Sequence, residues 1–125
     1  MKPFPVLILG LILSIGSAPA AELAPPAIAQ SEINYLLAFI EQSGCQFYRN
    51  GSWYDSKDAA AHLRHKYEYL AAKGLIQSAD DFIVQAATKS SLSGKAYGIK
   101  CGSGPVMATD QWLREALARE RSPVG

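Results

Sequence analysis

The residue pattern predicts an α+β domain, about four helices packed with a small antiparallel β-sheet that includes an Asn-Gly hairpin. Three observations carry this. Several stretches repeat apolar residues at helical spacing, two short aromatic-rich runs flank Asn50-Gly51, and an alternating run after Lys95 ends in the turn Gly102-Ser103-Gly104-Pro105.

The first twenty residues carry one positive charge at Lys2, an apolar run from Val6 to Ile15, and small residues ending in Ala18-Pro19-Ala20. This is the pattern of a secretory signal peptide, with cleavage expected after Ala20. The run is shorter than the roughly 20 residues that span a bilayer, so the segment is read as removed and no membrane is expected as partner afterwards. Periplasmic or secreted release follows. What remains of the 125 residues is enough for one core. Losing Lys2 takes the formal charge from +1 to zero, which leaves no electrostatic footprint for nucleic acid.

Residues 21–30 are mostly Ala and Pro and read as a flexible leader, with one domain over 31–119 and a frayed tail over 120–125. Ser31 is placed to cap a first helix whose Ile33, Leu36, Leu37 and Ile40 share one face, and Gly44 to end it. Cys45 to Arg49 and Ser52 to Tyr54 then read as strands joined at Asn50-Gly51, because both turn positions tolerate positive φ. Asp55 offers a side-chain oxygen to the first amides of a second helix that ends near Gly74.

At about 100° per residue, Ala59, Ala60, Leu63, Tyr67 and Leu70 of this helix form an apolar stripe. His65 points away from it, whereas His62 and Lys66 lie one turn apart on its flank. Ser78 and Asp81 open a third helix in capping-box fashion, with Phe82, Ile83, Ala86 and Ala87 inward. A Ser-rich loop precedes a strand expected over 96–101, in which Tyr97, Ile99 and Cys101 share a face. Thr109 is placed to cap the last helix, whose buried edge is Trp112, Leu113, Ala116 and Leu117.

Cys45 and Cys101 are the two cysteines, and in an oxidising compartment a disulfide between them is expected. Phe47 with Cys45, and Ile99 with Cys101, show the same strand register, which supports the pairing independently. Two cysteines alone make a poor metal site. His62 and His65 stand three apart but lack an evident third ligand, so neither metal nor cofactor is expected.

The order Arg49-Asn50-Gly51, His62-Leu63-Arg64 with Lys66-Tyr67, Asp81-Phe82-Ile83, Ser90-Ser91, Ser93-Gly94, Tyr97 and Trp112-Leu113 resembles the DUF5329 family. That family comprises small secreted or periplasmic bacterial proteins of unknown function. The resemblance covers about Ile33 to Leu117. It implies export and a shared α+β arrangement, and it carries over no catalytic residue.

The chemistry-bearing groups suggest a binding surface made of Arg49, Asn50, His62, Lys66, Ser90, Ser91, Ser93, Gly94 and Tyr97. Basic side chains and turn amides suit an anion or a sugar-rich polymer, and Tyr48, Trp53, Tyr54 and Tyr69 suit its rim. The expected partner is a periplasmic protein or cell-envelope ligand, bound without catalysis. One alternative is a small hydrolase pairing Ser91 or Ser93 with His62 or Lys95, although Gly-x-Ser-x-Gly is absent and Ser91 to Lys95 is one residue too long for Ser-x-x-Lys. Another is an inhibitor of a cell-wall lytic enzyme, since Ser93-Gly94 followed by Tyr97 resembles inserting loops of lysozyme inhibitors.

Overall fold

The computed structural model describes residues 23–123, and the signal peptide expected over 1–20 lies outside them. Among the described residues the order is α1 (Ala27–Gln42), β1 (Gln46–Arg49), β2 (Ser52–Tyr54), α2 (Ser56–Ala72), α3 (Ala79–Ala86), β3 (Gly98–Lys100), β4 (Met107–Ala108) and α4 (Thr109–Arg121). The strands form one antiparallel sheet in the order β2-β1-β3-β4, so the fold is α+β as expected.

Periodicity located the helix faces. Ile33, Leu36, Leu37 and Ile40 of α1 are buried, as are Leu63 and Tyr67 of α2, Phe82 and Ile83 of α3, and Leu113 and Leu117 of α4. Asp55 accepts the Asp58 N–H at 2.8 Å and starts α2 as expected. Ser78 accepts the Asp81 N–H at 3.0 Å, while the Asp81 carboxylate accepts the N–H of Gln77, one residue before the cap. Two first-turn donors of α3 and its lead-in are thereby satisfied.

Helix α1 begins at Ala27 and not at Ser31, so the last four residues of the expected leader are helical. The Pro26 carbonyl accepts the Gln30 N–H at 3.0 Å, and Ala29 is 2% exposed. Burial of Ala29 one turn ahead of Ile33 lengthens the apolar stripe, and Pro25-Pro26 mark where it stops.

In the β1–β2 pair Arg49 faces Ser52, leaving Asn50 and Gly51 to reverse the chain with φ of 56° and 89°. Positive φ at both positions is what the Asn-Gly pair tolerates. Phe47 faces Ile99 across β1–β3, and just past the Gln46–Lys100 pair the Cys45–Cys101 disulfide closes the ladder. Strand β3 is shorter than the expected 96–101. Ala96 instead forms a lone bridge with Lys89.

Thr109 does not cap α4. Ala108 holds the cap position while still paired to Gly98 in β4, so the strand runs straight into the helix and Thr109 becomes its first residue. There its N–H donates to the Tyr97 carbonyl at 3.0 Å, the residue is 1% exposed, and its hydroxyl has no hydrogen-bond partner among the described residues. Nor does the chain fray at Glu120. Helix α4 continues to Arg121, whose guanidinium donates to both Glu32 oxygens at 2.7 and 2.8 Å and to Asp80 at 3.2 Å. This fork ties α4 to α1 and α3 and holds the Glu32 carboxyl below its ordinary value.

Candidate functional site

The flank of α2 meets the sheet at Tyr97, immediately before β3. Because Leu63 and Tyr67 are drawn into the core, His62 and Lys66 emerge beside it, one turn apart, and both reach the Tyr97 hydroxyl. His62 Nε2 lies 3.3 Å from Tyr97 Oη and Lys66 Nζ lies 3.2 Å from it; Lys66 also donates to the Lys89 carbonyl at 3.0 Å. An ammonium has only donors, so Tyr97 Oη accepts from Lys66, and it donates its own proton to His62 Nε2 in the tautomer that leaves that nitrogen unprotonated.

Arg49, at the end of β1, completes the cluster. Its guanidinium carbon sits 4.7 Å from the Tyr54 ring centre, a cation–π contact, and no carboxylate of the described residues pairs with it. Lys66 likewise lacks an acidic partner there. Burial first, and the charges of Arg49, Lys66 and His65 next, hold the His62 imidazole below its ordinary value. Burial and then Arg49 depress the Lys66 ammonium in the same way. Burial raises the Tyr97 phenol, with Arg49 pulling it partly back. Positive charge is thus concentrated where water is partly excluded, which is where it interacts most strongly with an anion.

Beside this cluster opens a pocket of about 160 Å³. Its carbon-rich wall includes Phe47, Tyr54, Ala59 and Leu63, and its polar groups are Arg49, Asp58, His62, Tyr97 and Thr109. Tyr48 also contributes, and meets Trp53 edge-on with ring centres 5.5 Å apart. Tyr69 lies elsewhere, exposed under Lys73.

The nine expected surface residues therefore divide. Arg49, His62 and Tyr97 line one pocket, and Lys66 touches Tyr97 from the next turn of α2. Asn50 is exposed in the reversal beyond Arg49. Ser90, Ser91, Ser93 and Gly94 form a loop in which Ser90, Ser93 and Gly94 bond to neighbouring backbone groups. Ser90 Oγ accepts the N–H groups of Leu92 and Ser93, Ser93 Oγ accepts that of Lys95, and the Gly94 N–H donates to the Ser90 carbonyl. Among the described residues no serine hydroxyl is bonded to His62. Among the described residues no group of three His, Cys, Asp or Glu could hold a metal ion.

Sequence reasoning passed over Thr109 and the pocket role of Phe47. Asp58 carried a usable signal, since it precedes His62 by four residues and so shares its helix face. Thr109 carried none, because β3–β4 pairing and not local pattern brings it to Tyr97.

The depressed imidazole has a pH consequence. Unfolded chains protonate His62 near its ordinary value of 6.5, whereas the folded chain resists, so the unfolded state binds more protons as pH falls through that value. Thermal stability is expected to drop between about pH 7 and pH 5, above the carboxylate window in which Glu32 acts. Melting curves over that range would show a shallower slope for His62→Gln than for the wild type; identical slopes would contradict a half-buried His62 that resists protonation.

A family of unknown function, DUF5329, matches residues 27–121. No curated protein and no solved structure matches the chain.

Proposed function

The chain belongs to the DUF5329 family, and we propose that it is an exported, periplasmic binding or interaction module for an anionic cell-envelope ligand, held at Arg49, His62, Lys66 and Tyr97. One observation carries the reading. Arg49 and Lys66, the two cations nearest the pocket, make no ion pair with any carboxylate of the described residues, although Asp58 lines the pocket wall. An unneutralised pair of cations beside a half-buried imidazole is complementary to negative charge. The Cys45–Cys101 disulfide fits a compartment outside the reducing cytoplasm, and no described helix is long and apolar enough to cross a membrane.

Tyr97 is only 6% exposed and spent on His62 and Lys66, which disfavours the inserted-loop inhibitor reading. The serine loop, bonded to itself, gives hydrolysis no support.

The test is NMR titration of the mature protein with inorganic phosphate and with soluble peptidoglycan fragments, whose peptide stems carry carboxylates. Shifts are expected at His62, Tyr97 and the Arg49 side chain. At about 1.5–3 kcal/mol for a hydrogen bond to a charged group, Arg49→Ala with Lys66→Ala should weaken binding at least tenfold. Unchanged affinity in that double variant would remove the reading.

A further inference from the structure

Resting on that anion reading, we infer that the pocket is built for a small monocarboxylate with one six-membered ring, the carboxylate at Arg49 and His62 and the ring between Phe47, Leu63 and Tyr97. Four features of the pocket lead there.

Size comes first. A volume of about 160 Å³ is close to that of cavities that accept a benzene-sized guest, so one six-membered ring fills the recess, which is open to solvent on one side.

Shape and chemistry of the wall come second. Phe47 is 5% exposed, Leu63 3% and Tyr97 6%, so the wall is held by the core itself. Such a surface favours the flat, carbon-rich face of a ring over the hydroxyl-studded face of a sugar.

Third, the polar groups are concentrated around Arg49 and His62. The guanidinium carbon lies 4.7 Å from the Tyr54 ring centre, and among the described residues no carboxylate pairs with its N–H fork. A carboxylate matches that fork with two parallel hydrogen bonds. His62 adds a further donor on taking up a proton, and a bound carboxylate favours that uptake.

Fourth, Asp58 and Thr109 set limits. Asp58 lines the same pocket and opposes a second negative charge, so a dicarboxylate is disfavoured. Thr109 keeps a buried hydroxyl with no partner among the described residues in the pocket wall.

The experiment titrates the mature, disulfide-bonded protein with benzoate, benzyl alcohol, acetate and isophthalate, followed by NMR at Leu63, Ala59 and His62. Benzoate is expected to bind with Kd below about 1 mM, a modest efficiency for nine heavy atoms. Benzyl alcohol, acetate and isophthalate should each bind at least tenfold more weakly, and Arg49→Gln should weaken benzoate at least tenfold while melting like the wild type. Equal binding of benzyl alcohol would overturn carboxylate recognition, and equal binding of isophthalate would overturn the limit to one charge. If acetate or phosphate shifts Arg49 and Lys66 as strongly as benzoate does, the ring requirement falls while the anion surface stands. If none of the anions shifts these residues, both readings fall.

Discussion

Replacing both half-cystines, Cys45→Ser with Cys101→Ser, is expected to lower unfolding stability by roughly 4 kcal/mol. The size follows from the loop closed, 56 residues, which in the chain-entropy treatment is expensive for the unfolded chain to lose. That loop contains β1, β2, α2, α3 and β3, so the bond closes a long stretch of chain whose two end strands pair with each other. It sits next to the Gln46–Lys100 pair and thus seals the end of the β1–β3 ladder, which is only three pairs long. A ladder so short contributes little cooperativity of its own. For a domain of this size a loss of 4 kcal/mol lowers Tm by about 20 °C. Urea unfolding of the oxidised protein and of the double variant measures it; a difference under about 1 kcal/mol would mean that the unfolded chain already keeps these segments together. Because Phe47 and Arg49 lie on the strand that the bond anchors, the variant should also lose definition at the pocket before it loses its helices.

How much of this was legible depended on how far each residue's partners lie along the chain. Leu63 and Tyr67 were read as core, His65 as surface and His62 as flank because helical periodicity is local and α2 is long enough to fix it. The Cys45–Cys101 pairing was legible for a different reason: they are the two cysteines of the chain, an oxidising compartment was expected, and their shared strand register agreed. Helix ends were less legible. Ala27 starts α1 because Ala29 finds a buried place, and Arg121 extends α4 because Glu32 and Asp80 wait for it across the fold. Thr109 had the composition of a cap, yet the pairing of Ala108 with Gly98 fixed where the helix begins.

The same logic explains the candidate site. Arg49, His62, Lys66 and Tyr97 meet because sheet register carries Arg49 and Tyr97 to the flank that periodicity had assigned to His62 and Lys66. Hydroxyls in a loop, by contrast, have backbone amides within reach from the start. Ser90 and Ser93 spend theirs on Leu92, Ser93 and Lys95, so a cluster of serines in sequence is not a cluster of free hydroxyls in space. Sequence reading counts polar groups, and what decides availability is whether their nearest neighbours already use them.

Phe82→Ala is expected to cost about 4 kcal/mol, comparable to losing the disulfide but by another route. Phe82 is fully buried, and its ring meets Tyr67 edge-on with centres 5.8 Å apart, so α3 is held to α2 through this pair. Truncation removes apolar burial and leaves a cavity that Ile83 and Tyr67, fixed by their own helices, cannot both collapse to fill. Phe82→Leu keeps most of the volume and should cost under about 1.5 kcal/mol, which separates cavity formation from a general intolerance of the position. The consequence reaches the site through the chain that follows α3. Lys89, whose carbonyl receives Lys66, lies three residues beyond the end of that helix, and the Thr88 carbonyl accepts the Tyr97 N–H at 3.0 Å. Loosening α3 therefore loosens the frame that holds Lys66 and Tyr97 together. Urea unfolding would give the stability loss, and hydrogen exchange at the Tyr97 amide should quicken more in Phe82→Ala than exchange at Ile99, which stays paired with Phe47. Equal protection of the two amides would show that α3 does not support the site and that the sheet alone positions Tyr97.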